Sequence, residues 1–567
     1  MESLTLTELL DRAGAPPEAR AAFAPGQGSI MLHAGGWQSW SPGWELFPGE
    51  TLPAGVRLIP LLRLLTAAPW ELGEKRRGKG RGPALKKGWV GASFIIYLRA
   101  GDWYLVLADE RVGAAPAIYA VSPERRDLEF TRYEETPGGP SGSSLSGVRV
   151  FCVRGFFALK DSLRALYQQP LPEGPDPIGG YESWYNRYTR INEKLLLADL
   201  EALLTTDNLI KLRYVDRKKP AVFQIDDGWE RAVGDWEIDT GRFPRGLRPL
   251  AEKIKEAGLT PGLWLAPFLV TRKARIFREK PQWLLRDERG GPVKAGWNPN
   301  WDGVYYCLDI SLPGVLEYLR LVLDRVIDQW GFRYIKLDFL YAGFLPGLHA
   351  VPLSAAVHYE RACAVLTERK KAASGEALSY LGCGLPLGPS FRYFPLSRIG
   401  ADTRESWDWP LAKWLGHLGR PSAYLCLRNT LGRSFLNGTV YKNDPDVIFL
   451  RSKNCRLRAN EKELIALVNF LLAAQIMFSD DPRELNAGDL ALTGRINALY
   501  DRLEEAGDEY GAVQIGRDLY RLISRSTGKG PAGNQERIRG LINLGNKRAE
   551  RDGINAAPHS IALYPER

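Results

Sequence analysis

The chain has 567 residues, 45% of them hydrophobic and 25% charged, with a formal charge of +10. This is the composition of a globular protein with a large core, which excludes disordered, fibrous and collagen-like classes. Much of the positive surplus sits in Glu74–Arg81 and Lys86-Lys87, where the glycines point to a solvated loop; no nucleic-acid-binding pattern accompanies it, so no nucleic-acid partner is expected.

The six cysteines (Cys152, Cys307, Cys363, Cys383, Cys426, Cys455) are scattered, which gives neither a disulfide framework nor a zinc spacing. The five histidines are dispersed as well, so no metal is expected, and no cofactor either. The first residues show no basic segment followed by an apolar one, and no apolar stretch is long enough to span a bilayer; a cytoplasmic protein without a membrane partner is expected. Seventeen tryptophans and 23 tyrosines fit a large core or the stacking of sugar faces on rings, and composition does not choose between them.

Residues 1–172 read as an N-terminal β-sandwich domain. Apolar runs at Val56–Leu64, Ala92–Leu98, Trp103–Leu107 and Gly147–Val153 are separated by turn-rich clusters such as Thr136–Ser144. Within this region Gly35-Gly36-Trp37-Gln38-Ser39-Trp40-Ser41 places tryptophans on a Gly-rich loop. Trp37 either anchors that loop to its own domain or lends an aromatic wall to a neighbouring site. Pro170, Pro172, Pro175 and Pro177 then mark a linker.

From 173 to 485 short apolar strands alternate with helical stretches, the pattern of parallel β/α units. Strands are predicted at Gly179–Tyr185, Ala221–Asp227, Gly262–Phe268, Phe332–Tyr341, Leu378–Gly384, Ser397–Asp402, Tyr424–Asn429 and Leu471–Asp480. Helices are predicted over Leu247–Ala257, Pro313–Trp330 and Ser354–Ala373. About eight strands in this span predict an α/β fold with a central (β/α)8 TIM barrel. A doubly wound sheet is the competitor, but its Gly-rich phosphate turn is missing after the first strand. From 486 to 567 the runs Leu519–Ile523, Ile538–Leu544 and Ser560–Tyr564 predict a small C-terminal antiparallel β-sheet domain.

The predicted strand Phe332–Tyr341 ends in charge. Lys336 and Asp338 are two apart and share a face of a strand. Burying them costs free energy unless they are paired or used, and a core ion pair is one reading. Asp226 and Asp227 close a second strand, Asp402 after Arg398 closes another, and Trp184 and Trp264 stand at two more. In a barrel these ends converge on one mouth. Nucleophilic Ser or Cys chemistry would need a base, no strand end offers a histidine, and Cys383 lacks such a partner. Two carboxylates among aromatic platforms suit glycoside hydrolysis, with nucleophile and acid/base ~5–5.5 Å apart in a retaining enzyme. Lys336 would favour the ionised form of a neighbouring carboxylate. A carboxylate away from cations would keep its proton and serve as the acid.

These segments resemble glycoside hydrolase family 36, the bacterial α-galactosidases. The resemblance rests on Phe223–Trp229 with Gly234-Asp235-Trp236, on Pro261–Phe268, on Lys336–Ala342, on Gly382–Leu387, on Arg398–Asp402, on Arg428-Asn429 and on Asn443–Asp446, in that order. It implies a double-displacement mechanism with Asp338 as nucleophile and Asp402 as acid/base. It implies that Asp226 and Asp227 bind the sugar hydroxyls at C4 and C6, and that Lys336 and Arg398 donate to hydroxyls near the nucleophile. Trp184, with Tyr185 beside it, and Trp264 would shape the pocket wall, Cys383 and Gly384 would lie near the 2-substituent, and the Trp37–Trp40 loop would reach the mouth. The substrate would be a small α-galactoside, with no cofactor; monomer and homo-oligomer stay open. Glu182 and Arg187 depart from the family's first-strand pattern, Gly-Trp-x-Ser-Trp-Tyr, and Leu387–Phe394 is bulkier than the family's loop. An α-N-acetylgalactosaminidase and a raffinose-synthase-like transferase are the near alternatives, a non-catalytic sugar-binding protein the distant one.

Overall fold

The computed structural model describes residues 2–48, 50, 90–110, 117–122, 127–132, 147–168, 178–345, 347–414, 421–527 and 536–564. The strand expected at 56–64, the basic run 74–87, the cluster 136–144 and the prolines of 170–177 lie outside these residues.

Among the described residues, the chain's centre is one curled sheet of nine parallel segments. In chain order they are β1 Ile178–Glu182, β2 Ala221–Ile225, β3 Thr260–Leu265, β4 Tyr334–Leu337, β5 Ser379–Gly382, β6 Leu396–Arg398, β7 Lys442–Asp444, β8 Val447–Ile448 and β9 Gln475–Phe478. Their spatial order is β7-β6-β5-β4-β3-β2-β1-β9-β8. The first and last of that order are neighbours in the chain, separated only by Pro445 and Asp446. The sheet therefore comes round on itself. β7 pairs with β6 (Arg398↔Asp444) and β8 with β9 (Ile448↔Phe478).

Parallel neighbours need a crossover, and amphipathic helices supply it. Arg248–Glu256 buries Leu250, Ala251 and Ile254 on one stripe between β2 and β3. Pro313–Asp324 buries Val315, Leu319, Val322 and Leu323 and leads to β4, loosening into a π-turn over Arg325–Gln329 where one continuous helix was expected. Between β3 and β4 the chain also makes a three-stranded antiparallel excursion, Leu269–Thr271, Lys294–Asn298 and Gly303–Cys307, which carries Trp301 over the strand ends.

Two expectations are corrected. Tyr424–Asn429 is not a strand. It lies in the helix Ala423–Gly432, capped by Ser422, whose Oγ accepts from the Leu425 N–H at 3.1 Å. A short apolar run does not separate strand from buried helix, and that place in the sheet is taken by the divided pair β7 and β8. The chain after 486 is also not strand alone. Helix Ala487–Ala506 follows β9, capped by Asn486 and ended by Gly507 at φ 60°. The antiparallel sheet begins after it, from Asp508–Gly516, Leu519–Ser526, Arg537–Asn543 and Ser560–Leu563.

Among the described residues the N-terminal region forms two antiparallel sheets. One has five strands, Met31–Gly35, Gly43–Leu46, Ile95–Ala100, Trp103–Asp109 and Val148–Arg154; the other has four, Glu2–Thr5, Val90–Ser93, Ala117–Ser122 and Asp127–Arg132. One hydrophobic cluster runs from Trp37 and Phe94 through the curled sheet to Tyr520 and Ile542, joining all three regions. No described helix is long and apolar enough to cross a membrane.

Candidate active site

The C-terminal ends of the curled sheet hold the charge. Asp226 follows β2 and is 3% exposed. Its Oδ2 accepts from Gln224 Nε2 at 2.7 Å and from Lys336 Nζ at 2.8 Å, and its Oδ1 accepts from the Asp227 N–H at 2.9 Å. Asp227 Oδ2 accepts from Trp301 Nε1 at 2.8 Å. Burial, with the Glu230 carboxylate adding to it, holds the Asp227 carboxyl well above the usual carboxylate range.

Lys336 faces Asp226, with Glu182 Oε2 next at 3.5 Å. Burial opposes its charge, but Asp226 and Glu182 more than offset that. The expected pairing of Lys336 with Asp338 is therefore corrected. Both side chains line one cavity, but Asp226 and Glu182 stand nearest the ammonium. β4 ends at Leu337 and the backbone turns left-handed at Phe339, φ 54°.

Asp338 is instead gripped by two other groups. Trp264 Nε1 donates to Oδ2 at 3.0 Å and the Phe339 N–H donates to Oδ1 at 2.7 Å. A non-glycine residue with positive φ is uncommon. Here the Phe339 ring is wedged edge-on against Trp40 and tilted against Trp301, each at 5.1 Å between centroids.

Arg398 ends β6 and pairs with Asp444 at 2.8 Å, Asp446 at 2.9 Å and Asp402 at 3.2 Å. It thus stands beside Asp402, held by two further carboxylates. The Asp402 side chain keeps 44% of its surface but stands in a recess beside other carboxylates. Desolvation there, with Asp446 and Asp338 adding and Arg398 opposing, pushes it up to about 7. Asp446 lies between β7 and β8 at φ 74°, and its Oδ2 accepts from Tyr185 Oη at 2.5 Å and from the Thr403 N–H at 2.8 Å.

One cavity gathers most of the residues singled out in the sequence: Asp226, Asp227, Lys336, Asp338, Arg398 and Asp402, walled by Trp184, Tyr185 and Trp264. Trp37, Cys383 and Gly384 do not line it. Trp37 is the anchor of its loop, its ring edge-on to Phe344 at 5.4 Å, while Trp40 forms the wall. Cys383 is 1% exposed, and burial holds its thiol well above the usual value. Gly384 works by having no side chain, because a Cβ there would lie 2.9 Å from Trp40 Cη2. Trp301, Phe339, Asp446 and Glu182 also line the cavity without having been singled out as contacts. Asp446 stands in the Asn443–Asp446 motif and Glu182 was visible as a departure, whereas nothing in the local pattern marked Trp301.

Gripped and upward-shifted carboxylates among tryptophans, at the strand ends of a parallel β/α sheet, are the kind of groups that glycoside hydrolysis uses. The family model described as Melibiase matches residues 186–342. α-Galactosidase AgaA of Geobacillus stearothermophilus is 31% identical over 263 residues, which is 44% of this chain and only 32% of that protein. TtGalA, the α-galactosidase of Thermus thermophilus solved with p-nitrophenyl α-D-galactopyranoside, is 31% identical with a TM-score of 0.66 over 90% of both chains. In complex with stachyose the same protein gives a TM-score of 0.65 at 32% identity, over 82% of this chain and 90% of that one. The chain belongs to this family, the α-galactosidases of glycoside hydrolase family 36.

Proposed function

We propose that the protein is a retaining exo-α-galactosidase that releases terminal α-D-galactosyl residues from small oligosaccharides. One observation carries this reading: Asp338 and Asp402 face one cavity in opposite environments. Asp338 is fixed through both oxygens by N–H donors, as a nucleophile must be. Asp402 is pushed up to about 7, as a general acid must be. Asp338 attacks the anomeric carbon while Asp402 gives its proton to the leaving oxygen, so the glycosidic bond breaks as a galactosyl ester forms. Asp402, now ionised, takes a proton from water; the water's oxygen attacks the same carbon and frees Asp338. Asp226, Asp227 and Lys336 bind hydroxyls of the galactosyl ring, Arg398 orients Asp402, and Trp40, Trp184 and Trp264 wall the pocket. The two TtGalA complexes, with an aryl α-galactoside and with stachyose, support the substrate class.

The same reading takes the curled sheet as an eight-stranded β/α barrel whose seventh strand is divided into β7 and β8. Residues 1–172 form the sandwich domain, and the closing sheet begins at 508, helix 487–506 belonging to the barrel. All six cysteines are unpaired, which suits a cytoplasmic location. The test is Asp338→Ala assayed on an aryl α-galactoside. Turnover should fall by about 10³-fold or more; activity near that of the parent would overturn the nucleophile assignment.

A further inference from the structure

Glu182 ends β1 and is 2% exposed. It lines the cavity, yet it has no part in the chemistry above. Its Oε2 is 3.2 Å from Gln224 Nε2 and 3.5 Å from Lys336 Nζ, the two groups that also hold Asp226. Its Oε1 is covered and has no hydrogen-bond partner. A buried, half-satisfied carboxyl costs free energy that an apolar residue would not, so its presence calls for a use. Because Oε1 is covered, a sugar does not reach it unless the side chain turns. What Glu182 touches is the set of groups that would touch the sugar.

We propose that Glu182 is a positioning residue of the sugar pocket: it acts through Lys336, which it shares with Asp226, to set how strongly that pair grips the hydroxyls of the galactosyl ring. This rests on the α-galactosidase reading. Two carboxylates compete for one ammonium. When Glu182 is neutral, Lys336 is directed at Asp226 and the ligand; when Glu182 is ionised, it draws Lys336 away and places a second negative charge beside Asp226. The charged groups facing Glu182 are Lys336, Asp226, Asp446 and Arg398. Burial, with Asp226 and Asp446 adding and Lys336 opposing, pushes its carboxyl up to about 8, so the change falls within the range in which an enzyme can be assayed.

The test measures galactose affinity by calorimetry near pH 6 and near pH 9 for the parent, Glu182→Gln and Glu182→Ala, alongside kcat on an aryl α-galactoside. Glu182→Ala removes the competitor for Lys336, so near pH 9 it should bind galactose about threefold more tightly than the parent while kcat changes less, since the gain is in ground-state grip. Glu182→Gln keeps the shape but cannot ionise, so the weakening of affinity from pH 6 to 9 should be about threefold smaller than in the parent. The other carboxyls of the site are the same in both proteins, so only the difference between the two reports on Glu182. If Glu182→Ala does not fold, the isosteric Glu182→Gln decides alone. Identical pH ratios in the parent and Glu182→Gln would overturn the inference, as would galactose binding no tighter than the parent's near pH 9 in a folded Glu182→Ala. A parent without turnover would overturn the α-galactosidase reading, and this inference with it.

Discussion

Asp402 and Asp338 differ in what surrounds them, and that difference can be measured one side chain at a time. In the proposed mechanism Asp402 has to be protonated to assist departure, so kcat/KM on melibiose should decline as pH rises through about 7. Asp402→Asn should lose about 10²-fold or more on melibiose and much less on an aryl α-galactoside, whose leaving group needs little protonation. Glu182 bears on stability as well. Its carboxyl is raised from 4.5 to about 8, so across that window the folded state holds a proton that the unfolded state has released. Stability therefore falls with rising pH, by at most about 1.4 kcal/mol per pH unit for one proton. Glu182→Gln lacks this slope and should gain on the parent from pH 5 to 8 in urea titrations. The acidic strand ends were legible in the sequence because paired carboxylates on buried strands need a use. The partner of Lys336 was not, because Asp226 and Glu182 come to it from other strands, which spacing along one strand does not show.

At the scale of elements, function follows the places where regular structure stops. Phe339, two residues after β4, turns left-handed, and Asp446 does so between β7 and β8. The Phe339 N–H donates to Asp338 Oδ1, and Asp446 accepts from Tyr185 and Thr403, so each turn sits at a carboxylate of the cavity. Asp446→Asn removes a negative charge near Asp402 and leaves Arg398 one partner fewer. Both effects lower the pKa of Asp402, so the alkaline limb of the pH–rate profile should move to lower pH. The alternation of strand and helix was readable because buried parallel strands are short apolar runs and their crossover helices carry stripes. The divided strand was not. Seven residues with an internal proline, Lys442–Ile448, look like a loop until β6 and β9 are seen pairing with the halves on either side of Pro445 and Asp446. The helix at Ala423–Gly432 was misread for the same reason, since apolar content without length carries no period.

Across the whole molecule, the N-terminal region completes the site. The Ser39 N–H donates to Leu385 O at 2.8 Å, the Leu387 N–H donates to Trp37 O at 2.8 Å, and Arg433 Nη1 donates to Ser39 O at 2.8 Å. These bonds seat the Trp37–Trp40 loop on the segment after β5. Both tryptophans are 7% exposed, but they divide the work. Trp37→Ala should cost about 3 kcal/mol of stability and spare KM. Trp40→Ala should raise KM for an α-galactoside as well. Gly384→Ala would force a Cβ against Trp40 at a φ of 58° and should cost about 1–3 kcal/mol by denaturant unfolding. The joining of β1 to β9 has a consequence in time. Ser479 Oγ donates to Glu182 O across 297 residues of chain, and Asp446 is placed only when β7 and β8 meet their separate neighbours. A ribosome must therefore deliver the chain past Phe478 before the pocket has a far wall. In a refolding experiment, helical signal should return early and hydrolysis last, with the seam between the two ends of the sheet as the slow stitch.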